Sequence, residues 1–206
     1  MTRVKICGIT RSEDGLAAAH AGADAIGLVF YGKSPRNVGL QQAAGIVHAL
    51  PPFVTSVALF VNPQPEEVAA VLQQVRPDVL QFHGEESPAF CRSFGVPYLK
   101  AVRVRPETDL LQFAALYADA QGLLLDAWSE GAHGGTGERF DWNLIPTALP
   151  KPPILAGGLS PENVRVAVET VKPWAVDVSS GVEISKGIKD AALIAAFIKE
   201  VRYAKQ

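Results

Sequence analysis

Two side chains able to move protons stand in short, distinctive settings. Cys7 lies in "KICGIT", directly after a short apolar run headed by basic residues and before a glycine, a threonine and a helix start. Asp126 ends "GLLLD", where three preceding leucines make an ionised carboxylate expensive to bury. A thiolate can take a proton and a neutral carboxylic acid can give one, so the pair suits general acid–base chemistry. The two need opposite tuning: a free thiol, with a pKa of roughly 8.5, is mostly protonated at neutral pH, whereas a free carboxyl is mostly ionised. Positive charge or oriented N–H groups must lower the thiol, and desolvation must raise the acid. Taken alone, each residue has a plain alternative. Cys7 reads as a small buried thiol closing a strand, the commoner fate of free cysteine, and Asp126 as a helix cap or a loop ion pair. Lys5 shares the face of Cys7 two residues earlier, with a reach the sequence leaves open.

A second set of residues suits anions. Gly157 and Gly158 in "AGG", and Ser179, Ser180 and Gly181 in "SSG", let main chain approach a ligand closely and present N–H groups, as a phosphate site requires, although turns need glycines too. Arg36 in "SPRNV" offers a planar fork that matches a carboxylate bidentately, or is a solvated surface arginine. His83 and Asp177 face a ligand or satisfy structural partners.

These residues become one site only if the chain gathers them. Short β-type runs alternate with amphipathic stretches through eight units of roughly twenty-five residues each, from "RVKIC" and "SEDGLAAAHAG" to "WAVDVSS" and "DAALIAAFIKEVRYA". The sixth unit pairs "GLLLD" with "FDWNLIPTAL" across a long glycine-rich loop. Near-continuous apolar strands suit a parallel sheet covered on both faces, and eight regular units favour a closed α/β barrel, a single (β/α)8 TIM barrel over residues 1–206, over an open doubly wound sheet. Ser12 and Ser160, each followed by acidic residues, mark helix starts. In a barrel every loop after a strand lies on one face. That face would carry Cys7, Arg36, Asn62, His83, Arg103, Asp126, Gly157, Gly158 and the stretch from Asp177 to Gly181 together.

Bulk properties narrow the partners. With 48% hydrophobic and 19% charged residues the chain has a globular composition, and a net charge of −2 without a basic stripe argues against nucleic acid or an anionic membrane surface. The N-terminus lacks the signature of a signal peptide and no apolar stretch is long enough to span a membrane, so a cytoplasmic protein is expected. Cys7 and Cys91 show no CxxC spacing, so neither a metal site nor a disulfide framework is expected.

The segments "KICGIT", "GADAIGLVFYGKSPRNV", "ALFVN", "LQFHGEE", "LLLDAW" with "GGTGERFDW", "LAGGLSPENV" and "VDVSSGVEISKGIKD" resemble the phosphoribosylanthranilate isomerase family in order and spacing over almost the whole chain. Phe82 stands where the family often has leucine, and "EISKG" replaces a commoner segment with a proline before the glycine. The resemblance implies an Amadori rearrangement of phosphoribosylanthranilate in tryptophan biosynthesis, without a cofactor. It implies Asp126 as general acid and Cys7 as general base, Arg36, His83 and Asp177 as substrate contacts, and Gly157, Gly158, Ser179, Ser180 and Gly181 as the phosphate site. The glycine-rich segment 129–140 would close over the substrate, and a monomer or homodimer is expected. Three alternatives share the frame, one of them an indole-forming synthase, which wants a lysine and glutamate pair that the sequence does not locate. A metal-dependent pentose phosphate epimerase wants more strand-end histidines than His20, His48, His83 and His133 offer, and a noncatalytic sugar phosphate binder would need no proton-moving pair.

Overall fold

A computed structural model describes residues 1–127 and 141–205. Eight parallel strands close on themselves in sequence order: β1 (Arg3–Cys7), β2 (Ala25–Phe30), β3 (Thr55–Phe60), β4 (Val79–Phe82), β5 (Tyr98–Val104), β6 (Gly122–Ala127), β7 (Pro153–Leu155) and β8 (Ala175–Val178). Closure pairs β1 with both β2 and β8, so Ile6 faces Ile26 on one side and Val178 on the other. Every strand is therefore paired along both edges.

Helices α1 (Ser12–Ala21), α2 (Leu40–Ala49), α3 (Pro65–Gln74), α4 (Pro88–Arg92) and α5 (Leu110–Leu116) follow the first five strands. Helices α6 (Val164–Val171) and α7 (Ala191–Tyr203) follow β7 and β8. Strand periodicity splits each strand between two environments. Val4 and Ile6 of β1 join the core beneath the helices with Phe197 and Ile198 of α7, whereas Ala101, Leu124, Ile154 and Ala175 pack on one another as a separate cluster. Among the described residues no helix is long and apolar enough to cross a membrane.

Among the described residues the largest aromatic contact set surrounds Phe82, which is fully buried against Phe60, Phe90, Phe94 and Tyr98 with ring centroids 5.8–6.2 Å apart. The phenyl ring in place of a leucine is thus supported by four other rings. Phe82→Ala is expected to lose about 3–5 kcal/mol of unfolding free energy, and Phe82→Leu distinctly less, in urea titrations with unchanged slope. Equal losses for both would show that the rings contribute little beyond aliphatic volume.

Two expectations are corrected. Of the stretch "FDWNLIPTAL", the described residues 141–149 form only a 3-10 turn over Trp142–Leu144, because Pro146 bars helix continuation and leaves Ile145 extended at ψ 117°. Ser12 does begin α1, as its first residue behind Arg11 in the cap position. Ser160 precedes a turn instead of a helix. Its N–H donates to Asn163 Oδ1 at 3.0 Å while Asn163 Nδ2 holds the Gly158 carbonyl at 2.8 Å, and α6 begins only at Val164. The expected closing segment 129–140 lies outside the described residues.

The last loop has its own order. Strands β9 (Glu183–Ser185) and β10 (Ile188–Lys189) form an antiparallel hairpin whose turn uses Gly187 at φ 82°, and Thr10 Oγ1 donates to the Gly187 carbonyl at 2.5 Å. The "EISKG" variant therefore turns on its glycine and docks against the loop after β1.

Candidate active site

Cys7 and Asp126, 119 positions apart in the chain, line one pocket at the mouth where the strands end. Arg36, His83, Gly157, Gly158, Asp177, Ser179 and Ser180 share its wall, with Tyr31 and Ser34. The pocket thus gathers the ends of β1, β4, β6, β7 and β8 and the loop after β2.

Cys7 closes β1 and is nearly buried. The chain turns sharply behind it: Gly8 and Ile9 both donate N–H to the Gly27 carbonyl at 2.9 Å. Gly8 has φ 76°, and a Cβ there would meet Arg36 Cδ at 2.4 Å, so glycine is required both for the turn and for the arginine to pass. Lys5, the neighbour on the same face, reaches across β1 to β8, and its Nζ donates to Asp177 Oδ1 at 2.8 Å in a buried ion pair. A Cβ on Gly27 would lie 2.7 Å from Cys7 Sγ and 3.1 Å from Lys5 Nζ. The gap left by Gly27 admits both the thiol and the ammonium.

The electrostatics of Cys7 depart from the sequence expectation. Burial pushes the thiol above its ordinary value; Lys5 opposes this, Asp177 adds to it, and the net direction is up. The same surroundings raise the Lys5 ammonium, because the attraction of Asp177 and Cys7 together outweighs the desolvation that acts against it. Lys5 therefore limits the rise of the thiol without reversing it.

Asp126 ends the inward-facing row of β6. Its Oδ2 lies 3.1 Å from His83 Nε2, and its Oδ1 accepts the Ala127 N–H at 2.9 Å. Gln81 Nε2, an amide N–H, donates to His83 Nδ1 at 3.1 Å, which leaves the imidazole proton on Nε2 to be donated to Asp126 Oδ2. Gly157, at φ 81°, permits this arrangement, since a Cβ there would meet the Ala127 nitrogen at 2.5 Å and Asp126 Oδ1 at 3.1 Å.

The family model for N-(5'phosphoribosyl)anthranilate (PRA) isomerase matches residues 4–200. The chain belongs to the phosphoribosylanthranilate isomerase family. A relative from Azotobacter vinelandii, N-(5'-phosphoribosyl)anthranilate isomerase, is 61% identical over 202 residues covering 98% of both chains. The crystal structure of phosphoribosyl anthranilate isomerase from Thermotoga maritima is 44% identical, with a TM-score of 0.88 over 98% of this chain and 99% of that one. A phosphoribosyl anthranilate isomerase in complex with reduced 1-(o-carboxyphenylamino)-1-deoxyribulose 5-phosphate matches at 44% identity and TM-score 0.85, with the same coverage. Isomerase activity follows from these similarities.

Within this phosphoribosylanthranilate isomerase fold, three sequence expectations are refined. Arg36 lines the pocket but is already forked onto Glu183, with Nε to Oε1 at 2.8 Å and Nη2 to Oε2 at 2.7 Å. Gly181 stands behind the wall: a Cβ there would lie 2.0 Å from the Leu159 carbonyl oxygen, so its glycine lets the loops after β7 and β8 pack together. Asn62 and Arg103 do not line the pocket of Cys7. Asn62 Oδ1 accepts the Glu85 N–H at 2.7 Å, and Arg103 lines a neighbouring depression beside His83.

Sequence reasoning passed over Gly27, Gln81, Glu183 and Lys189. Gln81 carried a signal, being polar in an apolar strand and two residues before His83 on the same face. Gly27 acts only through residues far away in the chain, and Glu183 through Arg36, 147 positions off, as well as Lys189 across its own hairpin, so local pattern carried little.

Proposed function

We propose that the substrate is N-(5-phosphoribosyl)anthranilate and that the protein rearranges it to 1-(2-carboxyphenylamino)-1-deoxyribulose 5-phosphate in tryptophan biosynthesis. The observation that carries this reading is the shared pocket of Cys7 and Asp126, with an arginine on one side and the glycine–serine loops on another. The ligand named with the related complex has a carboxyphenyl group at one end and a phosphate at the other. Arg36 suits the carboxylate, and the Gly157–Gly158 and Ser179–Gly181 segments suit the phosphate.

With the phosphate and carboxylate held at opposite sides, the furanose lies between the sulfur and the carboxyl. Asp126 gives its proton to the ring oxygen, the bond from that oxygen to C1′ breaks, and the nitrogen lone pair forms a protonated imine. Cys7 as thiolate removes the proton from C2′. The C–H electrons become the C1′–C2′ double bond and the imine π pair returns to nitrogen, so the substrate supplies its own electron sink. The enolamine then tautomerises to the ketone. His83 orients the acid through the contact of its Nε2 with Oδ2. Asp177 keeps Lys5 beneath the sulfur, where its charge favours the thiolate, and the cationic imine adds a second positive charge once the ring has opened.

The test is the fluorescence of phosphoribosylanthranilate generated in situ. Its decay should accelerate in proportion to added protein; an unchanged decay would refute the substrate assignment.

A further inference from the structure

A pocket for a substrate with two anionic ends needs positive charge, yet among the described residues Arg36 is the only lysine or arginine on its wall, and Glu183 is forked onto its guanidinium. The missing cation lies one layer back. Lys189, on β10, has a fully buried side chain whose Nζ donates to the Ser179 carbonyl at 3.0 Å, to Ser179 Oγ at 3.3 Å and to Glu183 Oε1 at 2.8 Å. Its main-chain N–H is held by Asp14 Oδ2 at 3.1 Å, so the ammonium is fixed at both ends of the residue.

We propose that Lys189 is the buried cation of the phosphate subsite, acting through Ser179 and through its charge without touching the ligand. The inference rests on the reading of the Gly157–Gly158 and Ser179–Gly181 segments as the phosphate site. Ser179 lines the pocket, and because its Oγ accepts from Lys189, its hydroxyl proton is left to donate elsewhere, including to a phosphate oxygen. Arg36, Glu183 and Lys189 comprise two cations and one anion, leaving one positive charge in a buried cluster that spans the carboxylate and phosphate sides of the pocket. Such a charge is weakly screened and acts over several ångströms. Burial alone would drive the lysine toward neutrality, and its value is indeed lowered, but Glu183 counters that cost and favours the ammonium. Glu183 itself stays ionised: burial pushes its carboxyl up, yet Arg36 and Lys189 bring it below the ordinary range. Glu183 is thus a positioning residue that ties the two cations together.

Inorganic phosphate is the probe, read as competitive inhibition of the isomerase and as a rise in Tm. Wild-type protein should respond to phosphate in both measurements; no response in either would overturn the phosphate-site reading and this inference with it. Lys189→Met should weaken phosphate binding about tenfold, because the cluster loses its net charge and Ser179 its partner. Glu183→Gln should bind phosphate about as tightly as wild type, because Arg36 keeps its charge and Lys189 keeps both contacts with Ser179, so the cluster retains at least one positive charge even where burial takes the lysine's proton. A merely structural role predicts the same sign for both variants, since each breaks the same buried contact. A wild-type response left unchanged in Lys189→Met, or weakened binding in Glu183→Gln equal to that in Lys189→Met, overturns the inference and leaves the phosphate site standing. Should Lys189→Met fail to fold, Glu183→Gln alone decides, and any loss of phosphate affinity there counts against the proposal.

Discussion

Cys7→Ala and Asp126→Asn are each expected to lower kcat by about 10²–10⁴-fold while leaving affinity for a reduced product analogue nearly intact. Both groups act on protons in the transition state, whereas the binding of a substrate-sized ligand rests on the arginine and the two loops. Asp126→Asn keeps the shape of the side chain and its acceptor for the Ala127 N–H, so its loss isolates the proton. Cys7→Ala removes a nearly buried sulfur beside the Lys5 ammonium but leaves the Lys5–Asp177 ion pair in place. Turnover kinetics and calorimetric titration separate the outcomes. If both variants turned over at wild-type rates, the assigned roles would be wrong; if both lost analogue affinity in step with turnover, the residues would be binding groups.

Lys5→Met should have the next largest effect, on two observables. Stability comes first: Lys5 and Asp177 form a buried pair at 2.8 Å, and removing one partner leaves an uncompensated carboxylate, at a cost of about 3–5 kcal/mol. The second is the pH dependence of kcat/KM, which reports groups of the free enzyme. Because burial lifts the Cys7 thiol, activity of the wild type should keep rising as the pH is brought from about 7 toward about 9, the range in which an ordinary thiol already ionises. Lys5 opposes that lift and Asp177 reinforces it, so loss of the lysine moves the acid limb further toward alkaline pH and depresses the rate at neutrality. The Lys5→Met, Asp177→Asn double variant should regain stability without regaining the wild-type profile. An acid limb that did not move in Lys5→Met would separate the lysine from the thiol.

The barrel was legible because its physics is local. Runs such as "AIGLVF" span β2 residue for residue, and the alternation of strand with amphipathic helix held in every unit but the sixth. There a proline two residues beyond Leu144 overrode an otherwise suitable pattern, leaving a single 3-10 turn. The candidate site was legible as a set, since closure of the sheet brings strand ends together whatever their spacing in the chain. Its charge balance was not. Arg36 and Glu183 are 147 positions apart, Lys5 and Asp177 172, and no periodicity announces such pairs. The same limit explains Gly27, which reads as an ordinary strand glycine until the sulfur and the ammonium are seen filling the space a side chain would take.

The geometry of a bound reduced product analogue bears most directly on the proposed chemistry. A crystal structure of that complex should place Cys7 Sγ within about 3–3.5 Å of C2′ and the Asp126 carboxyl within hydrogen-bond reach of the oxygen that closes the furanose, with the phosphate against Gly158 and Ser179. A ligand bound with C2′ turned away from the sulfur, or with its phosphate at Arg36, would contradict it.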